Sequence, residues 1–326
     1  MVLSVVGATG LVGRTFLSEI ARKKINYDKI NLYASAKSDG KTLFLKGKKL
    51  KVKALTESFE AGDYVLLSAG GEVSKKYVPL ALKQGATVID NSGFWRMHKD
   101  VPLVIPEVNF CDVGGGRLIA NPNCSTACVI AAVNALKKWG VKSLRYVTFQ
   151  SVSGAGRAGL KDLRRCQKGN APTFFAHNIA KTCIPQIGDF CKNGYTVEER
   201  KMINETRKIL HIDKLPVSAT CVRVPVPYCH AAAVFAELDL PFQLSAIRRA
   251  FFEAEGLTLA DDTTNNLYPL FDSARFSEKS FVGRIRKDAA SKNGVTFYCV
   301  ADNLYKGAAS NAVEILKRLV DAKGLL

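Results

Sequence analysis

At 326 residues, 47% of them hydrophobic and 23% charged, the chain is too long for one ordinary core and is expected to fold as two globular domains. All of its apolar runs fall short of the roughly 18 residues that cross a bilayer. Its nine cysteines, irregularly spaced and without a CxxC pair, argue against a disulfide framework or a zinc site and for reduced thiols in the cytoplasm.

Residues 2–6 form an apolar run followed by GATGLVG and the amphipathic stretch RTFLSEIARKK. No basic leader or cleavage pattern precedes it, so it reads as a buried strand. Gly7, Gly10 and Gly13 make a GxxGxxG at a strand–turn–helix junction. Glycines there let the backbone approach a pyrophosphate, whose charge a helix N-terminus favours. The second strand, KINLYAS, ends without the acidic residue that usually holds the ribose 2′-hydroxyl of NAD, and the first acid after it is Asp39. Ser35, Lys37 and Ser38 offer hydroxyls and a cation instead, which suits the 2′-phosphate of NADP. Much of the net charge of +18 lies in KSDGKTLFLKGKKLKVK, residues 37–53. With Phe44 as its single aromatic residue and no nucleic-acid motif, this stretch reads as a solvated hairpin on a protein that handles small anions, and nucleic acid is not expected as a partner. YVLLSAG and ATVIDNS are further short apolar runs with the helix-spaced SKKYVPLALKQG between them. Strands alternating with helices predict a parallel, doubly wound sheet to about residue 120.

At IANPNCSTACVIAAVNAL, residues 119–136, a polar turn gives way to a helix-prone run that starts at Cys124. A thiol at a helix N-terminus feels the positive end of the dipole, which favours its thiolate. An oxyanion formed by attack on a carbonyl would face the same backbone N–H groups. Cys128, one turn further in apolar company, reads as packing. A nucleotide site beside an activated thiol points to thiohemiacetal and acyl-thioester chemistry, as in phosphorylating aldehyde dehydrogenases. SLRYVTFQSVSG, VSATCVRVPVP and HAAAVFAELDL then predict longer strands, broken by helices at TVEERKMINETRKIL and LSAIRRAFFEAEG. That pattern suits an α+β domain with a mainly antiparallel sheet. NLYKGAASNAVEILKRLVDA predicts an amphipathic helix that packs back on the first domain. The expected boundaries are 1–122, completed by the C-terminal helix at about 303–326, and 123–302.

GATGLVG, LLSAGGEVSKKY, DNSGFWRMHKDVPLVIPEVN, ANPNCST, QSVSGAG, EERK, RVPVPYCH and DNLYKGAASNAV, in this order through nearly the whole chain, resemble the aspartate-semialdehyde dehydrogenase family. The resemblance implies an α/β protein with a Rossmann-like dinucleotide-binding domain and an α+β catalytic and dimerisation domain, acting as a cytoplasmic homodimer. It implies NADPH-dependent reduction of 4-phospho-L-aspartate to L-aspartate 4-semialdehyde with release of inorganic phosphate, in lysine, threonine, methionine and diaminopimelate synthesis, without a metal. On this resemblance Cys124 is the nucleophile, Gln150 orients the substrate near the thiol, and His230 is the acid/base. Arg223 clamps the substrate carboxylate and Glu198 recognises its amino end. Arg96 and Lys201 hold phosphate, with Asn123 beside them. The cofactor positions are Gly7, Thr9, Gly10, Leu11, Val12, Gly13, Ser35, Lys37, Ser38, Ser68, Ser153, Gly154 and Asn303.

The residue chemistry agrees with these roles. Imidazole titrates near neutrality, a guanidinium fork suits a carboxylate, and Glu198 and Lys201 are spaced to share one helix face. Each also has a plainer reading: a surface ion pair for Glu198 and Lys201, a solvent-facing Arg223, a structural His230. Two departures from the family pattern bear on the histidine. Ala231 and Ala232 follow it where the family commonly has Ser-Glu, and Cys229 replaces the usual glycine before it; losing the glutamate predicts a lower pKa for His230. The 2′-phosphate position, often Arg, is Lys37. N-acetyl-γ-glutamyl-phosphate reductase is the rival of the same chemistry, which Asn123-Cys124-Ser125 argues against. A non-catalytic basic binding protein is the rival of another class.

Overall fold

The computed structural model describes residues 1–322 and 324. The chain divides into two compact units, one made of Met1–Pro122 together with the segment that begins at Ala308, the other of Asn123–Gly307.

The first unit is built on a seven-stranded sheet: β1 (Val2–Val6), β2 (Lys29–Ala34), β3 (Thr42–Leu45), β4 (Lys48–Ala54), β5 (Tyr64–Leu67), β6 (Thr87–Asp90) and β7 (Leu118–Ala120). The spatial order is β3-β4-β2-β1-β5-β6-β7. Every neighbouring pair is parallel except β3 with β4. Strands β5 and β6 are buried along their whole length, which is why they read as continuous apolar runs and not as alternating ones. Helices α1 (Leu11–Arg22), α2 (Gly71–Lys83) and the single turn α3 (Pro106–Asn109) join them. The basic hairpin β3–β4 does alternate. Leu43, Leu45 and Val52 are buried, while Lys48, Lys49, Lys51 and Lys53 face outward and Phe44 is 64% exposed.

The second unit holds α4 (Cys124–Ala135), β8 (Val141–Gln150), α5 (Gly156–Gln167), α6 (Val197–Leu210), β9 (Val217–Arg223), β10 (His230–Leu238), α7 (Leu244–Glu253), β11 (Leu257–Leu259), β12 (Ser280–Lys287) and β13 (Gly294–Ala301). Its sheet runs β11-β12-β13-β10-β8-β9. The central pairs β8/β10, β10/β13 and β12/β13 are antiparallel, whereas the outer pairs β8/β9 and β11/β12 are parallel. Helix α4 is buried from Ser125 to Val133 and packs on β10 and β13. On the opposite face, the rows Val147–Ala233–Tyr298 and Phe149–Ala231–Val300 carry apolar side chains, of which Val147, Phe149, Ala233 and Tyr298 are only half-buried.

Residues 302–305 form a turn, with Asp302 Oδ1 accepting from the amides of Leu304 and Tyr305. A π-helical stretch, Tyr305–Ala309, follows and leads into α8 (Ser310–Ala322). The regular helix therefore starts later than the expected residue 303, and positions 323, 325 and 326 of that expectation lie outside the described residues. Helix α8 packs against α1 and β6, and Ala312, Val313, Ile315, Leu316 and Val320 share a core with Leu3, Phe16 and Ile20. Among the described residues no helix is long and apolar enough to cross a membrane.

Candidate active site

In the first unit the glycine turn is closely packed. Gly7 has φ +84°, and a Cβ there would lie 2.1 Å from the carbonyl oxygen of Ser68; one on Gly13 would lie 2.2 Å from that of Gly7. Only glycine fits either place. No side chain caps α1 at Gly10, so its first-turn amides remain available to an anion. Leu11 and Val12 open that helix half-buried. Beside the turn, Thr9 Oγ1 lies 3.3 Å from Ser38 Oγ, and Lys41 Nζ donates to the same Ser38 hydroxyl at 3.4 Å. Ser35 and Lys37 are exposed next to them. Asp39 is turned to another task, because its Oδ1 accepts from the Ala54 amide at 2.8 Å. The edge that would meet a ribose 2′-position thus offers hydroxyls and two lysines, a fit to a 2′-phosphate. Ser68 follows β5 and accepts from Asn91 Nδ2 at 3.4 Å. Arg96 is also in this unit, 7% exposed, with Nε donating to the carbonyl of Asn121 at 2.8 Å and Nη2 to that of Asn91 at 3.0 Å.

In the second unit Cys124 is the first residue of α4 and half-buried. Asn123 is the N-cap, its Oδ1 accepting from the amides of Ser125 at 2.9 Å and Thr126 at 3.3 Å. This revises the expected use of the helix start, since two of its amides are taken by the cap and do not serve an oxyanion. The dipole still favours a thiolate at this end. Asn123 is itself held by α6: its backbone N–H donates to Glu205 Oε2 at 2.6 Å and its Nδ2 to Glu198 Oε1 at 2.9 Å. Gly307 packs closely on Cys124, and a Cβ there would stand 2.8 Å from Cys124 Cβ. Cys128 is buried, its Sγ donating to the His230 carbonyl at 3.6 Å. Burial pushes its thiol well up, so it stays protonated and packs.

Gln150 is the register partner of Arg223 on β9 and of His230 on β10. Partners directly across a sheet point to one face, so these three expected residues form one row, all of them buried. Gly154, just beyond β8, meets two of them. A Cβ on it would lie 2.8 Å from Arg223 Nη1 and 3.2 Å from His230 Nε2. Arg223 Nη1 donates to the Ser151 carbonyl at 2.6 Å. The His230 ring accepts the Ser151 N–H at Nδ1, 3.1 Å. The same Nδ1 also lies 3.1 Å from the Cys229 carbonyl, and Nε2 has no protein partner among the described residues. Burial, then the charge of Arg223, pulls the His230 pKa down to about 3, so the imidazole is neutral at physiological pH. Its Nδ1 neighbours are Ser151 and the Cys229 carbonyl, and Ala231 and Ala232 supply no carboxylate. Cys229 has φ +66°, the left-handed conformation that explains a glycine preference at this position. Ser153, with Ser151, bonds to Asn303 Oδ1, which also accepts from the Cys229 amide.

Glu198 and Lys201 pair at 3.2 Å. Burial pushes the Glu198 pKa up, but the Lys201 charge and the Asn123 bond outweigh it, and the carboxyl ends below its ordinary value. Lys201 is 38% exposed at its side chain while Glu198 is buried, so this is more than a solvated surface pair.

Three residues were missed in the sequence. Glu205 lies seven positions, two helical turns, beyond Glu198, and that spacing was the available signal. Ser151 adjoins Gln150, but nothing local marks it as the partner of a histidine 79 residues away. Lys41 was read as part of the solvated hairpin and instead reaches Ser38.

Residues 133–306 match the family model described as semialdehyde dehydrogenase, dimerisation domain, and residues 2–114 the semialdehyde dehydrogenase, NAD binding domain. Relatives include the aspartate-semialdehyde dehydrogenase of Aquifex aeolicus, 44% identical over 98% of this chain and 97% of that protein, and that of Bacillus subtilis, 42% identical over 97% and 96%. The crystal structure of aspartate semialdehyde dehydrogenase II from Vibrio cholerae superposes with a TM-score of 0.93 at 38% identity, covering 98% of both chains, and a second structure of that enzyme, complexed with ASA, matches equally. The chain belongs to the aspartate-semialdehyde dehydrogenase family.

Proposed function

We propose that the chain reduces 4-phospho-L-aspartate to L-aspartate 4-semialdehyde with NADPH, releasing inorganic phosphate, as a cytoplasmic homodimer in lysine, threonine and methionine synthesis. The observation that carries this reading is the buried row Arg223–Gln150–His230, in the same unit as a half-buried thiol at the first position of a capped helix.

The Cys124 thiolate attacks the acyl carbon, forming the C–S bond as the C–O bond to phosphate breaks. The departing phosphate keeps the electron pair and takes up a proton, with Arg96 and Lys201 as its cations. When bound, the dinucleotide supplies a hydride. His230, neutral and in the tautomer with its proton on the unpartnered Nε2, donates a hydrogen bond to the oxygen that carries the resulting negative charge. Collapse of that centre returns the electron pair to Cys124 sulfur and frees the aldehyde. Arg223 binds the substrate carboxylate through guanidinium N–H groups other than the one on Ser151, Glu198 the ammonium, and Gln150 orients the acyl group. Ser38, Thr9, Lys37 and Lys41 support NADP over NAD. The half-exposed apolar face of the second sheet supports a dimer, because such patches mark contacts between proteins.

Steady-state rates with aspartate 4-semialdehyde, NADP and phosphate test the proposal, with N-acetylglutamate 5-semialdehyde as the competing substrate. Turnover confined to the acetylated compound, or salt-dependent nucleic-acid binding without turnover, overturns it.

A further inference from the structure

At the C-terminal edge of the first sheet, Ser68, Asn91 and Asn121 stand directly after β5, β6 and β7 in adjacent register. Their side chains form a ladder. Asn91 Nδ2 donates to Ser68 Oγ at 3.4 Å, Asn121 Nδ2 to Asn91 Oδ1 at 2.6 Å, and Asn311 Nδ2, from the first turn of α8, to Asn121 Oδ1 at 2.7 Å. Asn311 Nδ2 also donates to the Val104 carbonyl at 2.9 Å, and Asn121 Nδ2 to that of Ala308 at 3.2 Å. Arg96 leans on the same two rungs, since the carbonyls that accept its Nε and Nη2 are those of Asn121 and Asn91.

We propose that Asn311 is a positioning residue for the anion site, locking Asn121 and through it the Arg96 guanidinium; this rests on the reading that Arg96 holds phosphate. Asn311 and Asn121 are 2% and 0% exposed. Asn311 Oδ1 is buried with no partner among the described residues, a cost that a residue selected only to fill space would not carry. Both hydrogens of its Nδ2 are used, so its donors, and not its acceptor, account for an amide at this place. A guanidinium fixed by two backbone carbonyls is pre-organised for an oxyanion, and that order lasts only while the strand ends stay in place.

The test measures KM for phosphate, KM for aspartate 4-semialdehyde, kcat in phosphate-dependent NADP reduction, and the NADPH Kd by fluorescence. Asn311→Ala is expected to raise the phosphate KM about tenfold with NADPH Kd unchanged within about twofold. Arg96→Ala is expected to raise it further, and Arg96→Ala/Asn311→Ala no further than Arg96→Ala alone, because the two act as one unit. Should Asn311→Ala not fold, Asn311→Asp carries the same test, keeping the volume while removing the donors. An unchanged phosphate KM in Arg96→Ala overturns the phosphate reading of Arg96. A phosphate KM that responds to Arg96→Ala but not to the Asn311 variants, or effects that simply add, overturns the positioning role alone.

Discussion

His230 gives the sharpest quantitative expectation. The ring is 1% exposed, accepts an obligate donor at Nδ1, and shares its row with the Arg223 cation. Burial first, and that charge second, lower its pKa from 6.5 to about 3. A histidine depressed in this way stabilises the fold fully above its unfolded pKa and loses that contribution as pH falls, because the unfolded chain takes up a proton that the native ring refuses. Between pH 7 and pH 5 the unfolded histidine protonates and the native one does not, which costs the native state about 2 kcal/mol. The magnitude is insensitive to the exact native value so long as it lies well below 5. Urea unfolding of the wild type and of His230→Asn, whose Oδ1 can still accept the Ser151 N–H, isolates this contribution by subtraction. The wild type is expected to lose about 2 kcal/mol more than the variant over that interval. Equal losses would refute the buried neutral ring. Correspondingly, kcat/KM is expected to show no inflection near pH 6.5 from this group.

Cys124→Ser is expected to abolish phosphate-dependent NADP reduction while leaving NADPH binding nearly unchanged, checked by single-turnover assay and fluorescence titration; substantial residual turnover would exclude a thioester route. Lys41→Ala, like Lys37→Ala, is expected to weaken NADPH about tenfold and NADH little; equal losses for the two cofactors would mean that the 2′-phosphate lies elsewhere. Glu205→Ala removes the acceptor of the buried Asn123 N–H and is expected to cost about 2 kcal/mol in thermal or urea unfolding. Its kcat is expected to fall at least about tenfold with NADPH affinity retained; an unaltered kcat would separate the α6 glutamate from the placement of Cys124.

The sequence by itself determined what depends on local periodicity and on residue type. The glycine turn after β1, the missing acid after β2, the thiol at the start of α4 and the alternation of the lysine hairpin could all be read, because each is encoded within one or two turns of chain. The mixed character of the second sheet could not be, since a strand's own pattern does not say whether its neighbour runs parallel, and β8 has an antiparallel partner on one side and a parallel one on the other. Tertiary structure alone decided which distant residues share an atom's reach. Gln150 stands between Arg223 and His230 only through strand register. Glu205 meets Asn123 across 82 residues, and Asn311 meets Asn121 across 190. It also decided the charge state of His230: the sequence offered the imidazole as a candidate acid/base, but its protonation depends on burial and on the charge of Arg223, and solvent exclusion and a neighbouring guanidinium exist at the ring only once the sheet has closed around it.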